Sequence, residues 1–130
     1  MTPRGEPEKG VLDWAVLTSY EYEPGLARVP DAVRTLDGTP VVMHGFLMPL
    51  YEFDDIHEFV LVATHMSCCF GIPAGINGQV VVRLSQKDGL PNTNEPIEVR
   101  GTFHLREKSE QGYVLSIYDI DGAKAFVKGY

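Results

Sequence analysis

Both cysteines of this chain lie in one short stretch that also carries a histidine and a methionine. His65, Met66, Cys68 and Cys69 offer an imidazole, a thioether and two thiols within five consecutive positions. Thiolate, thioether and imidazole donors favour Cu(I) and Zn(II) over hard cations. The two residues between His65 and Cys68 match the spacing with which a turn brings two ligands to one ion. The stretch therefore predicts a transition-metal site, with Zn(II) or Cu(I) as the cofactor.

A structural metal site of this kind needs about four ligands, so further donors would come from other elements. The remaining soft or borderline donors considered are His44, His104, Met43 and Met48. We expect His44 to complete the set, because it lies in the strand that precedes the one leading into the cysteines. The predicted metal ligands are Cys68, Cys69, His65, Met66 and His44.

Two other interpretations of the cysteines stay open. Free cysteines often behave as small buried hydrophobic residues, here at the end of a barrel. Alternatively, a thiol-dependent redox or catalytic protein would use Cys68 or Cys69, with His65 as the base that lowers the thiol pKa. The chain has no Cys-x-x-Cys redox pair, and no third catalytic residue can be placed from the sequence.

Two further groups of residues have the chemistry of a site, but we interpret both as structural. Paired carboxylates can bind hard cations, yet an acidic run is more often a solvated loop, and Glu52, Asp54 and Asp55 form such a run. Aromatic side chains can stack on bases in a nucleic-acid-binding barrel. The tyrosines that could do so, Tyr20, Tyr113 and Tyr118, are accompanied by few basic residues, which favours a packing role.

The charge of the chain argues against polyanionic partners. Eleven basic and eighteen acidic residues give a net charge of −7 and a pI near 4.9. Nucleic-acid binding depends on basic surfaces that neutralise phosphates, and the chain contains no run of Lys or Arg. We therefore predict no nucleic-acid partner. No apolar run approaches the roughly 20 residues that span a bilayer, so no transmembrane segment is expected.

The length of 130 residues predicts one domain over residues 11–130, after a disordered tail over residues 1–10. The tail is polar and lacks the apolar core of a signal peptide. Either a cytoplasmic protein or a mature domain of the cell envelope fits these observations.

The elements that position the cysteine stretch are predominantly strands. Phe59–Ala63, which leads into it, is a continuous apolar run and predicts a strand buried on both faces. Ile97–Lys108 alternates cleanly, which predicts a half-buried strand with Glu98 on the wet face. Strands are also predicted over Thr39–Leu50, Gln79–Leu84 and Tyr113–Ile120.

The other segments predict a helix, turns and loops. Pro30–Leu36 predicts one short helix with Pro30 in its first turn, whereas Val11–Tyr22 fits both a helix and a strand. Asp121-Gly122 predicts a turn after the last strand. Five strands with internal glycines predict an all-β protein, mainly β with one short helix, folded as a small five-stranded OB-like barrel. Ser85–Glu95 predicts a polar loop where that fold usually has a helix.

Several short blocks together resemble a known family. In order, they are Trp14 with Leu17, Leu36–Gly38, His44–Leu50, Glu58–Val62, Cys68–Pro73 and Val99–Phe103. This ordered set resembles the bacterial domain-of-unknown-function family numbered 3299, over roughly Leu12 to Ile120. The resemblance implies a small exported or envelope β domain, and some members are encoded beside ABC-type transporters linked to metal handling. It implies no established activity.

Together these observations predict an envelope-associated binding or adaptor domain rather than an enzyme, with a periplasmic or cell-envelope location. The resemblance implies a transporter or another envelope protein as the partner, and a link to transition-metal handling. The alternatives are the thiol-dependent redox or catalytic protein, a purely structural protein-interaction domain and a cytoplasmic location.

Overall fold

The computed structural model describes residues 11–20, 22–50, 54–63 and 78–127. Two short α-helices, α1 (Trp14–Leu17) and α2 (Asp31–Arg34), lie on either side of a 3₁₀ helix at Pro24–Leu26. They precede the strands, which are β1 (Pro40–Pro49), β2 (Glu58–Val62), β3 (Gln79–Leu84), β4 (Ile97–Glu110) and β5 (Tyr113–Val127).

The five strands of the described residues form a closed barrel in the order β1-β2-β3-β5-β4. The pairing of β4 with β1 closes it. The pairing of β3 with β5 is parallel, and every other pairing is antiparallel. The predicted all-β class with an OB-like barrel is confirmed. As predicted, the connection from β3 to β4 contains no helix.

The interior of the barrel is filled with apolar side chains from all five strands. On β1 these are Val41, Met43 and Leu47, which alternate with outward-facing residues. The residues of β2 from Phe59 to Val62 are all buried, at 0 to 7% exposure. The prediction that this strand is buried on both faces is therefore confirmed.

The N-terminal segment contains more helix than the single short one predicted. The predicted helix is present as α2, although Pro30 is its N-cap and not a first-turn residue. The segment Val11–Tyr22, which fitted both a helix and a strand, contains α1. The N-cap of α1, Asp13, accepts a hydrogen bond from the backbone N–H of Ala15 at 3.0 Å. Four residues are too few to show a helical period, which is why the sequence did not resolve this element. Leu17 of α1 and Val33 of α2 are fully buried in the core.

A tyrosine pair fastens this segment to the barrel. The hydroxyl of Tyr118 on β5 donates to the backbone oxygen of Leu17 at 2.7 Å. The hydroxyl of Tyr20 lies 2.6 Å from the Tyr118 hydroxyl. Because Tyr118 gives its proton to Leu17, Tyr20 is the donor of the second bond. Burial raises the pKa of Tyr118 above its ordinary value, which keeps the phenol protonated. Tyr20 and Tyr118 thus have the packing role that we predicted for them.

The predicted turn at Asp121-Gly122 is wrong, because β5 continues through it to Val127. Arg100 and Thr102 of β4 pair with Lys124 and Asp121, so β5 has one extra residue between these pairs. Gly122 adopts a φ of +61°, which is typical of a β-bulge. The bulge bends β5 and lets the strand continue instead of reversing.

Gly45 marks the point where β1 changes its partner. Residues Pro40 to Gly45 pair with β4, whereas residues Phe46 to Pro49 pair with β2. A Cβ atom on Gly45 would lie 2.5 Å from the backbone oxygen of Val62, closer than any real Cβ contact. The backbones of β1 and β2 therefore approach each other closely at this glycine.

Asp119 is the centre of an ion-pair network on the outer face of β3, β4 and β5. Its side chain is completely buried. The Oδ2 atom lies 2.9 Å from Arg106 Nη2, 2.9 Å from Lys108 Nζ and 3.6 Å from Arg83 Nη1. The Oδ1 atom is buried and has no hydrogen-bond partner among the described residues. A buried carboxylate is tolerated only when it is paired, so the three cations are what allow Asp119 to lie here.

Asp121 links two of the same cations and completes the network. It accepts hydrogen bonds from Arg83 Nη1 at 2.8 Å and from Arg106 Nη2 at 2.7 Å. Burial disfavours the ionised carboxylate, but the hydrogen bonds from Arg83 and Arg106 outweigh it and hold the pKa of Asp121 below its ordinary value. The network therefore joins β3 to β5 and β5 to β4 on the outside of the barrel.

We expect Gly45→Ala to lower the free energy of unfolding by about 1–3 kcal/mol, because overpacking displaces the backbone at Val62. Amide hydrogen exchange should accelerate in β1 and β2. Gly122→Ala is the matched control, since nothing lies within 4 Å of the added methyl group and only the left-handed conformation is strained. Its faster exchange should be confined to β4 and β5, and the same exchange pattern in both variants would contradict this account.

We expect Asp121→Asn to reduce the acid sensitivity of the fold. The folded-state pKa of Asp121 is depressed, so its ionised form contributes stability above the unfolded-state pKa of about 4. That stability is lost as the pH falls through the folded value. Urea unfolding between about pH 7 and pH 3 should show a gap between wild type and variant that closes on acidification. The exposed Asp88→Asn control should follow wild type, and a gap that does not change with pH would argue against the network.

Candidate functional site

Only one of the five predicted metal ligands lies in the part of the chain that the structure describes. His65, Met66, Cys68 and Cys69 fall within residues 64–77, outside the described residues. His44 is described and lies on β1.

The register of β1 places His44 at the end of the barrel where β2 stops. Phe46 is opposite Val62, the last residue of β2, and His44 is two residues beyond that pair. Its side chain points outward, because the neighbouring Met43 points into the core. His44 therefore lies next to the strand end that leads into the cysteines.

The other donors considered in the sequence do not all lie near His44. Met43 is completely buried in the core. Met48 is on the outward face of β1 and 41% exposed. His104 lies on β4 with its ring nitrogens 3.7 Å from Asp37 and 3.7 Å from Asp121. Met48 therefore shares the face of β1 that carries His44, whereas Met43 points into the core and His104 belongs to a separate group of charges.

His44 is paired with a buried glutamate on the neighbouring strand. It lies opposite Glu98 in the β1–β4 register, and its Nε2 atom is 3.0 Å from Glu98 Oε1. The other carboxylate oxygen of Glu98 accepts a hydrogen bond from Arg100 Nε at 2.5 Å. Burial raises the pKa of Glu98, but the hydrogen bonds from Arg100 and His44 outweigh this effect, and the pKa lies below its ordinary value. Glu98 is therefore an ionised carboxylate beside an imidazole.

The backbone of His44 is fixed as well. Its carbonyl oxygen accepts a hydrogen bond from the indole Nε1 of Trp14 at 2.7 Å. Two residues before Trp14, the backbone N–H of Leu12 donates to the carbonyl of Val42 at 2.7 Å. Trp14 thus holds the strand that carries His44.

Glu98 is the residue of this site that the sequence missed. The alternation of β4 predicted a position on the wet face, but the side chain is only 10% exposed. Its position opposite His44 requires the β1–β4 register, which no local pattern contains. A glutamate two residues before an arginine on a strand was the only available signal, since both side chains lie on one face.

The acidic run before β2 has a structural role in its described part. Asp54 and Asp55 are exposed, and the carboxylate of Asp55 accepts the backbone N–H of Gly89 at 2.7 Å. Glu52 lies outside the described residues. Within residues 11–20, 22–50, 54–63 and 78–127, no group of three or more His, Cys, Asp and Glu side chains is arranged to hold a metal ion. None of the helices in this part of the chain has the length and apolarity needed to cross a membrane.

The described part of the site can supply one oriented nitrogen donor. A carboxylate hydrogen-bonded to a histidine fixes the ring and raises its basicity as a ligand, which is common around metal-binding histidines. Imidazole is a borderline donor suited to Zn(II) and copper. The chemistry of His44 with Glu98 is therefore compatible with the predicted metal.

Comparison with known proteins identifies the family. The family model described as "Protein of unknown function (DUF3299)" matches residues 19–125. The crystal structure of a DUF3299 family protein from Pseudomonas aeruginosa PAO1 matches with a TM-score of 0.61 and 24% identity, over 98% of this chain and 91% of that chain. At that identity the match shows the fold alone, and no curated protein matches the sequence. As the ordered sequence blocks predicted, the chain belongs to the DUF3299 family.

Proposed function

We propose that this chain is a binding domain of the cell envelope, and that its ligand is a soft transition-metal ion, Zn(II) or Cu(I). The proposed ligands are His44, His65, Met66, Cys68 and Cys69. The observation that carries the proposal is the position of His44 on the outer face of β1, at the end of β2, with its ring held by the ionised carboxylate of Glu98.

The chain order supports the same location. Val62 is the last residue of β2, and the thiols follow it within a few residues of sequence. His44 lies two residues past the partner of Val62 on β1. A rigid barrel that presents a donor-rich connection is a common arrangement for a binding site.

The rest of the described barrel supports a binding role over a catalytic one. The interior is filled with apolar side chains such as Phe59, Phe103 and Ile120. The charged residues Arg83, Arg106, Lys108, Asp119 and Asp121 are engaged in ion pairs that join strands. These groups hold the described barrel together, and the proposed ligand chemistry uses the barrel end that carries His44.

The proposed location and partner depend on the family. The family resemblance implies an envelope domain. Some members of the family are encoded beside ABC-type transporters linked to metal handling. We therefore propose a transporter or another envelope protein as the partner that exchanges the metal ion with this domain.

The test is metal affinity of reduced protein, measured for Zn(II) and for Cu(I) by competition with a chromogenic chelator. We expect two variants to weaken binding by about ten-fold or more. One is the double variant Cys68→Ser, Cys69→Ser and the other is His44→Gln, and each lacks proposed ligands. Affinity should also fall as the pH is lowered, because thiolate and imidazole ligands must lose their protons to bind.

His104→Gln is the matched control, because it removes a histidine from the outer face of β4 whose neighbours are Asp37 and Asp121. This variant should retain the wild-type affinity. Equal affinities of wild type and the double cysteine variant would refute the metal proposal. If the His44 and His104 variants behave alike, His44 is not a ligand.

A further inference from the structure

An open groove runs along the outside of the barrel between the first half of β1 and β4. The described residues that line it form two paired segments, Pro40–Val42 and Arg100–Thr102. Its volume is about 390 Å³, within the range of roughly 300–1,000 Å³ that is typical of small-molecule sites. A stable interface with another protein needs about 20–30 residues on each side, many more than these two segments supply. The size of the groove therefore favours a small molecule as its occupant.

One wall of the groove is apolar. Pro40 and Val42 lie on the outward face of β1, where Pro40 is exposed and Val42 is half-buried. Neither side chain carries a charge or a hydrogen-bonding group. A hydrocarbon group of a ligand that lies on this wall is removed from water, which is favourable.

The opposite wall carries two hydrogen-bond donors. Arg100 and Thr102 are two residues apart on β4, so both lie on its outward face. The Nε–H of Arg100 donates to Glu98 Oε2 at 2.5 Å, which orients the guanidinium. Within the part of the chain that the structure describes, Nη1 and Nη2 of Arg100 and the hydroxyl of Thr102 make no hydrogen bond. The N–H groups of a guanidinium match the geometry of a carboxylate, so this wall is suited to bind one.

The charges around Arg100 also favour an anionic ligand. Lys124 on β5 is exposed and lies directly opposite Arg100, and like charges at such positions are destabilising. Glu98 balances the charge of Arg100, but Lys124 has no acidic partner among the described residues. The acid opposite Thr102, Asp121, has both carboxylate oxygens bound by the arginines of the ion-pair network. An anion beside Arg100 would therefore relieve the repulsion between the two cations.

We propose that the groove between β1 and β4 binds a small monocarboxylic acid with a short hydrocarbon chain. Arg100 and Thr102 bind the carboxylate, and the hydrocarbon chain lies against Pro40 and Val42. None of these four residues is a proposed metal ligand, so the inference goes beyond the proposed function and does not depend on it.

Titration of the metal-free protein with hexanoate, followed by proton–nitrogen-15 NMR of the backbone amides, tests the inference. We expect saturable shifts at the amides of residues 41–42 and 100–102, with a Kd of about 1 mM or tighter. Hexanol lacks the charge and acetate lacks the chain, so each should bind about ten-fold more weakly. Equal affinities for hexanol and hexanoate, or the lack of a saturable shift with hexanoate, would overturn the proposal.

Two variants test the two walls separately. Arg100→Gln should weaken hexanoate binding by about ten-fold, because the charge-assisted hydrogen bonds to the carboxylate are lost. Val42→Thr replaces one methyl group by a hydroxyl, and it should weaken the binding of hexanoate but not that of acetate. Lys87→Gln is the matched control, since it removes an exposed cation from the connection between β3 and β4. If Arg100→Gln and Lys87→Gln bind hexanoate alike, Arg100 does not recognise the ligand and the proposal fails.

Thr102→Val keeps the test valid if the loss of Arg100 disturbs Glu98 and the fold. This variant removes only the hydroxyl of a half-buried residue, and it should weaken hexanoate binding by about three-fold or more. Wild-type affinity in Thr102→Val would contradict the proposed position of the carboxylate.

N-acetyl-leucine separates a small acid from the carboxyl terminus of a partner protein, because it imitates the end of a polypeptide chain. We expect it to bind no more tightly than hexanoate, since its amide group has no place on the apolar wall. Binding that is about ten-fold tighter than that of hexanoate would assign the groove to a partner chain and overturn the proposal of a small acid.

Discussion

The change of partner along β1 is the constraint on which the other features depend. The barrel closes because β1 pairs with β4 along its first half and with β2 along its second half, and the change occurs at Gly45. The backbone of β2 then passes so close to Gly45 that a side chain there would collide with Val62. This change of partner at Gly45 sets the register of β1 against both β2 and β4. It thereby places His44 beside the end of one strand and opposite Glu98 on the other.

The same change of partner explains why the N-terminal segment docks on the barrel. Ahead of Gly45, β1 is paired with β4, and the carbonyls of Val42 and His44 accept hydrogen bonds from another element. Leu12 and Trp14 supply the donors, so these polar groups are satisfied. With the tyrosine contact from β5 to Leu17, these bonds make α1 part of the barrel wall. The rigidity of His44 is therefore a result of barrel closure and of the segment that precedes it.

The sequence predicted the elements whose signal is local. The apolar run of β2 and the alternation of β4 are visible in a few consecutive residues, and both strands were placed correctly. The dipeptide Asp121-Gly122 was misread because a turn and a bulge both use a glycine with positive φ, and only the partner strand distinguishes them. Likewise, the four residues of α1 are too few to display a period.

For the candidate site, the sequence identified donor types but not their surroundings. His44 was chosen because it is on the strand that precedes β2, and only the register shows that it lies beside the end of β2. The alternation of β4 predicted that Glu98 faces the solvent, which is wrong. Burial on an outer face depends on neighbours distant in sequence, here His44 and its strand. The participation of His65, Met66, Cys68 and Cys69 stays a prediction, since these residues lie outside the described part of the chain.

We propose that the soft donors His65, Met66, Cys68 and Cys69 bind one metal ion together with His44. X-ray absorption spectroscopy at the zinc edge of reduced, Zn(II)-loaded protein tests it most directly, because sulfur and nitrogen ligands are distinguished by their distances. We expect sulfur ligands at about 2.3 Å together with nitrogen at about 2.0–2.1 Å. A coordination shell of oxygen and nitrogen alone, with no sulfur, would contradict the account.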